Sequence, residues 1–355
     1  MFLALNEIRY AKLRYTLVIG VMFLIAYLVF FLSGLAYGLA QENRMAVDKW
    51  EADYLLLSDK ANDSLNMSMI DPEMIEQVEA KEKALLVQAP AIIYQVEDQD
   101  TKENVSFFGI DSQQFITPNI IEGELFSKKG EVVADISLKK SGGYSLGDQI
   151  KISMNDEKMT IVGFTDNAKY SVSPVLYTSL ETIQQVRYGE MAEKQELRVN
   201  AIITRGQITE KPDGLSKIAI GDFINKLPGY NAQVLTFGFM IGFLVIIAAV
   251  VIGIFIYVLT MQKTAIFGVM KAQGISSRYI AKSVIAQTFF LATVGVFTGL
   301  VLTILSGLVL PETVPFQSNL LFFAGISLLM IVIAIVGALF SVRAIVKIDP
   351  LKAIG

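Results

Sequence analysis

The sequence predicts a membrane α-helical protein with four transmembrane helices and an extracytoplasmic mixed α/β (α+β) domain between helices 1 and 2. Three observations carry this. Of the 355 residues, 53% are hydrophobic and only 18% charged, outside the composition of ordinary soluble domains. Charges vanish between Arg14 and Glu42, Lys226 and Lys263, Lys282 and Glu312, and Glu312 and Arg343, leaving 27 to 36 charge-free residues each time, more than the roughly 20 a helix needs to cross a bilayer. Residues 84 to 205 instead show short apolar runs of period near two, the pattern of strands.

Taken in order, residues 1–14 (MFLALNEIRYAKLR) set Phe2, Leu5, Ile8 and Leu13 against Asn6, Glu7, Arg9, Lys12 and Arg14, as a cytoplasmic interfacial amphipathic helix does. Residues 15–40 read as transmembrane helix 1. Tyr15 to Tyr37 contains 13 Leu, Ile, Val and Phe, which favour insertion by roughly 4 to 8 kcal/mol in total. A basic start and Gly38-Leu39-Ala40 also suit a secretory signal, but the apolar run exceeds the usual 7 to 15 or so residues of one. The helix is expected to extend as a stalk, because AQENRMAVDKWEADY keeps helical spacing through Leu39, Val47, Trp50 and Tyr54. A separate surface helix fits that spacing equally.

The extracytoplasmic domain spans 41–232. Its strands are read in ALLVQAP, AIIYQVED, NVSFFGI, GEVVADI, DQIKISM, KMTIVGF and LRVNAII, with turns at Gly147-Asp148 and Asn155-Asp156. Ser179 to Glu190 reads as a helix capped by Ser179, and 212–227 return to helical spacing through Leu215, Ile218, Phe223 and Leu227. Transmembrane helix 2 follows at 233–260, a cytoplasmic loop at 261–282, helix 3 at 283–310, a short outer loop at 311–319, helix 4 at 320–342 and a cytoplasmic tail at 343–355.

Lys and Arg set the orientation. Three lie in residues 1–14, four in 260–282, three in 342–355 and none in the outer loop, so both termini and the 261–282 loop belong inside. The domain between helices 1 and 2 then lies outside with 20 basic and 31 acidic residues, a balance of −11. Nothing in this distribution suits nucleic acid.

The chain has no cysteine and no histidine. Disulfides, Ser-His-Asp and Cys-His catalysis, imidazole zinc sites and proximal-His haem ligation are thereby excluded. There is no Gly-x-x-x-x-Gly-Lys-Ser/Thr, so ATP, if used, is bound by another chain. The carboxylate pairs Glu122/Glu124 and Asp156/Glu157 sit in turns and strand ends, and no catalytic residue, resident metal or tightly bound cofactor is assigned.

With this topology, EGELFSKKGEVVADISLKKSGGYSLGDQI (122–150), MQKTAIFGVMKAQGISSRYI (261–280) and SVRAIVKIDPLKAIG (341–355) resemble, in order, three stretches of the MacB/FtsX-like ABC transporter permeases. The opening NEIRYAKLRYTLVIGVMFLIAYLVFFLSGLAYGLAQEN looks most like the haem-exporting permeases of HrtB type. The resemblance implies a bacterial cytoplasmic membrane permease that acts as a homodimer with two ATPase subunits and transmits their ATP-driven closure to the external domain.

It also assigns roles. The 261–282 loop would form a coupling helix, with Phe267, Val269, Met270 and Ile275 entering a groove on the ATPase and Lys263, Lys271 and Arg278 meeting its acidic rim. Topology alone would explain the cations, with the apolar residues dipping into the interface. Gly20, Ser33, Gly34 and Gly38 on helix 1 would let the two permease copies pack closely. Haem would be the transported ligand, with Tyr170 or Tyr230 as axial ligand, Lys169 meeting a propionate, and Tyr27, Tyr37, Met22 and Met240 as less specific choices; an interfacial aromatic belt explains the tyrosines equally. Two alternatives remain open: export of an antimicrobial peptide, macrolide or lipoprotein, and FtsX-like force transmission to an external cell-wall hydrolase without transport.

Overall fold

The computed structural model describes residues 12–98, 100–155 and 157–346, with side chains through residue 339. The expectations for residues 1–11 and 347–355, and for Asp156, lie outside the described residues. The chain divides into two compact units, Leu39–Val234 and the remainder.

In the first unit, helix α1 (Lys12–Asp48) contributes its C-terminal end. The strands are β1 (Tyr54–Ser58), β2 (Glu82–Gln95), β3 (Lys102–Ile110), β4 (Glu122–Gly123), β5 (Glu131–Asp135), β6 (Gln149–Ile152), β7 (Lys158–Thr165), β8 (Lys169–Tyr170), β9 (Ser173–Ser179), β10 (Ala201–Arg205) and β11 (Leu215–Ala219), with helices α2 (Ile136–Gly142) and α3 (Leu180–Tyr188) between them and α4 (Ile220–Asn225) after β11. The sheet order is β11-β1-β10-β2-β3-β9-β5-β7-β4. Strand β6 pairs both β2 and β7, so β2, β3, β9, β5, β7 and β6 form a closed ring of pairings. Closure removes edges that would otherwise template aggregation.

Successive residues of one strand feed different cores. Leu55, Leu57, Phe108 and Val133 join one cluster with Ala46, Val47 and Trp50 at the end of α1. Leu56, Phe107 and Val132 join the other with Leu138 of α2 and Ile183 and Val186 of α3. Both faces are therefore apolar, which is why the strands read as near-continuous Leu, Val and Ile runs. Ser179 caps α3 as expected, accepting from the Thr182 amide at 3.1 Å.

Local readings fail at three places. The two strands read on either side of Pro90 are one, β2. Proline is tolerated because it falls between the stretch paired with β10 (82–86) and that paired with β6 (93–95), where no ladder bond is forfeited. The helical spacing of 212–227 yields β11 and only then the short α4. Ile218 faces Leu55 across an antiparallel pair, and the hydrogen bonds this supplies to the β1 edge outweigh local helical preference. The helix read through Tyr54 stops at Asp48, and Tyr54 opens β1 after Glu51 takes a φ of 48°.

The second unit holds the rest of α1 together with α5 (Tyr230–Met261) from Leu235 onward, α6 (Thr264–Ala272), α7 (Ser277–Val309) and α8 (Leu320–Val346). Helices α1, α5, α7 and α8 are long and apolar enough to cross a membrane. Gly295 and Gly299 of α7 lie so close to α1 that an added Cβ would come within 2.7 Å of Met22 Cβ and 2.9 Å of Ala26 Cβ respectively. This is a small-xxx-small crossing, in which short side chains let helix backbones approach.

The small residues of α1 are used differently from the sequence reading. A Cβ on Gly34 would meet the Phe316 ring at 2.4 Å and one on Gly38 the Pro315 carbonyl at 2.1 Å, while the Gln317 amide donates to the Gly34 carbonyl at 3.2 Å. Ser33 Oγ donates within its own helix to the Val29 carbonyl at 2.6 Å. Gly34 and Gly38 thus admit the chain's own 311–319 loop and are not free for a second copy. Gly20 has open space beside it.

Candidate functional site

The turn between α5 and α7 is built from the inside outward. After Met261 the chain turns at Gln262 and Lys263, forms α6, and reverses at Gly274, whose φ of 87° suits the residue without a Cβ. Ser276 then caps α7, accepting from the Tyr279 amide at 3.3 Å.

Phe267 is only 2% exposed and packs with Ile256, Leu259, Val284 and Leu291. A narrow cavity at that spot also carries the polar side chains Thr260, Lys263, Gln287 and Thr288. Lys263 Nζ donates to the Tyr15 hydroxyl at 2.7 Å. Met270 and Ile275 are partly buried against the same cluster, so α6 is held to the membrane-spanning helices by an apolar plug and an ammonium hydrogen bond.

The opposite side of α6 is bare. Ile266 is 57% and Val269 44% exposed, and Gln262, Ala265, Ala272 and Gln273 are exposed with them. These positions recur at three and four residues, one stripe of a helix. Beyond the turn, Arg278 and Tyr279 are exposed and Lys271 is half-buried.

Of the seven residues chosen from sequence for coupling, Val269 and Arg278 face outward, whereas Phe267, Met270, Ile275 and Lys263 turn inward. The exposed apolar residues that the sequence reading missed are Ile266 and Tyr279. The signal was available, since 262, 266, 269 and 273 share a helical stripe and Phe267 lies off it.

The residues chosen for haem lie in the β-containing unit. Tyr170 is buried in the same core cluster as Tyr230, edge-on to Phe108 at 5.4 Å between ring centres, and burial pushes its phenol above the ordinary tyrosine range. Lys169 Nζ is bound to Glu42 Oε1 at 2.6 Å, with both side chains largely buried. The cation expected to meet a propionate is therefore already neutralised, and its neighbour Tyr170 is packed away from solvent. Tyr230 opens α5 and is also buried.

In the membrane unit, Met22 is buried, Tyr27 shares a 3.1 Å hydrogen bond with Ser306, Tyr37 stacks on Phe322, and Met240 is exposed. Glu122, considered as half of a carboxylate pair, is ion-paired to Lys139 at 2.6 Å.

Residues 238–350, from within α5 to the tail, match the family described as FtsX-like permease C-terminal. The chain carries an FtsX-like permease domain. Over 362 residues the permease is 26% identical to the hemin transport system permease protein HrtB of Staphylococcus epidermidis, covering 100% of this chain and 99% of the relative. HrtB of Staphylococcus haemolyticus is 25% identical over 358 residues, with the same coverage. An uncharacterised ABC transporter permease of Mycobacterium bovis is 24% identical over 362 residues, covering 100% and 99%. Among solved structures, the periplasmic region of MacB from Actinobacillus actinomycetemcomitans aligns with a TM-score of 0.34 and 12% identity over 48% of this chain and 90% of that one.

Proposed function

We propose that the permease exports haem from the membrane, driven by ATP that a separate cytoplasmic ATPase subunit binds and hydrolyses. The observation that carries the ATPase coupling is the two-sided α6: Ile266 and Val269 bare on one side, Phe267 and the Lys263–Tyr15 hydrogen bond anchoring the other. A stripe of exposed apolar residues on a short helix suits a groove on a partner, and Arg278 adds a cation beside it. Movement of a docked ATPase would reach α5 and α7 through Phe267 and α1 through Lys263. Haem as cargo is supported by the two full-length relatives named as hemin transport permeases.

In this reading the basic loops lie in the cytoplasm, the Leu39–Val234 unit lies outside, and two permease copies work with two ATPases. Of the three haem residues chosen from sequence, Tyr230 is retained as the axial ligand, because it opens α5, the second apolar span, whereas Lys169 is engaged by Glu42. The test is hemin titration of the purified permease. A Soret shift weakened in Tyr230→Phe but not in Tyr170→Phe is expected; no shift in the unmodified protein would refute haem as cargo.

A further inference from the structure

The turn between β8 and β9 adopts a conformation its sequence does not favour. Tyr170 pairs with Ser173, leaving Ser171 and Val172 as a two-residue hairpin loop with φ of 49° and 70°. Such loops are ordinarily Asn-Gly, because positive φ crowds a Cβ, and a β-branched residue there is a steric outlier. Strain of this kind persists only where surrounding contacts impose it.

The two strained amides both find their partners on α1. The Ser171 amide donates to the Asn43 carbonyl at 3.0 Å and the Val172 amide to the Glu42 carbonyl at 3.2 Å. Both carbonyls are inside a helix, so these donors come in addition to the helix's own amides four residues on. From the same hairpin Lys169 Nζ reaches Glu42 Oε1 at 2.6 Å.

Seven residues further, two helical turns along the same side, Lys49 Nζ donates to Thr165 Oγ1 at 2.6 Å and to the Asp166 carbonyl. The segment between these grips is itself pinned to the sheet, since the buried Ala168 amide donates to Asp135 Oδ2 at 2.8 Å and the Val175 amide to the Ala168 carbonyl at 2.8 Å.

We propose that the Thr165–Val172 segment is the fastener that fixes the outer end of α1 to the sheet, so that displacement of α1 during the ATPase cycle moves the sheet as one body. Glu42, Lys49, Lys169 and the two strained amides are its positioning residues. The proposal rests on the reading of the chain as an ATP-driven permease; it is independent of the cargo. It accounts for Ser-Val standing where Asn-Gly would fold more easily: the loop is shaped to aim two amides at helix carbonyls.

The natural chain has no cysteine, so a reversible fastener is testable in the full permease–ATPase complex. In the Glu42→Cys/Lys169→Cys protein the ion pair is removed, and a bis-methanethiosulfonate reagent with a two-carbon spacer restores a tie that reductant cleaves. The readout is the change that ATP causes in hydrogen exchange of the β5 and β9 amides, in nanodiscs. The unmodified and cross-linked proteins should show the same ATP response, and the cleaved protein at most a fifth of it.

Equal responses in cross-linked and cleaved forms, a response lost on cross-linking, failure of the two thiols to cross-link, or no ATP response in the unmodified complex would each overturn the proposal. A merely structural role would leave the cross-linked and cleaved forms differing in melting temperature but not in ATP response. Hemin movement measured on the same samples tests the cargo separately.

Discussion

Lys263 Nζ stands 2.7 Å from the Tyr15 hydroxyl and 5.4 Å from the centre of its ring, joining the residue ahead of α6 to the start of the first span. A charge-assisted hydrogen bond of this kind contributes about 1.5 to 3 kcal/mol. Tyr15→Phe should destabilise the permease by that amount, and Lys263→Met/Tyr15→Phe by less than the sum of the single changes. Melting of the four proteins in detergent measures the coupling; strict additivity would mean that the two residues act independently.

The two faces of α6 predict opposite mutant behaviour. Ile266→Asp leaves the packing intact and should abolish co-purification of the ATPase, with stability changed by no more than about 0.5 kcal/mol. Phe267→Ala empties a buried site and should cost about 3 to 5 kcal/mol, with docking retained in the fraction that folds. Pull-down and melting of both variants separate the faces; a Phe267 variant that is stable but undocked would reverse the assignment.

The α1–α7 crossing makes a steric prediction. Gly299→Val puts carbon where Ala26 Cβ and the Tyr27 amide nitrogen already stand, each 2.9 Å from an added Cβ. Overpacking of that sort costs about 1 to 3 kcal/mol. Gly20→Ala has room and should be neutral or stabilising by up to about 1 kcal/mol, since alanine restricts the unfolded chain. Denaturation of the two variants in parallel checks the contrast.

Alkaline stability follows from two core tyrosines. Burial first, and Asp135 second, raise the Tyr177 phenol above its ordinary range, and burial alone raises Tyr170. Their contribution is complete below about pH 10, where the unfolded chain also keeps both protons, and is lost as pH rises through 10 toward the folded values. Each adds a loss of about 1.4 kcal/mol per pH unit there. Burial lowers Lys49, so in the range just below pH 10 the unfolded chain holds more protons and this group favours the fold as pH rises.

The Tyr177 hydroxyl is buried with no hydrogen-bond partner among the described residues. Tyr177→Phe should therefore be neutral or stabilising at pH 7 and should remove about 1.4 kcal/mol per pH unit of the loss above pH 10. Melting curves from pH 8 to 11 read both effects, and an unchanged alkaline slope would contradict them.

The four spans and the mixed domain between the first two were legible because bilayer thickness and strand pleating impose lengths and periods on the sequence itself. Individual elements were legible where local chemistry decided them, as with the Ser179 cap. They were not where a distant partner decided: Leu215–Ala219 carries a helical pattern yet becomes a strand because β1 offers hydrogen bonds.

The site divides the same way. A basic, apolar, glycine-broken turn between two spans announces a special segment. Which of its apolar residues face outward depends on the rotation of α6, and that is set by Phe267 finding its pocket among α5 and α7. Lys169 looked available for a ligand because Glu42 is 127 residues away in sequence and 2.6 Å away in space.

The most direct test is ATP-driven hemin movement in proteoliposomes holding the permease and its ATPase. ATP should move hemin from the membrane to the side bearing the Leu39–Val234 unit, and Ile266→Asp should stop both movement and docking. A complex that hydrolyses ATP with Ile266 intact while hemin stays where it was placed would contradict the proposed function.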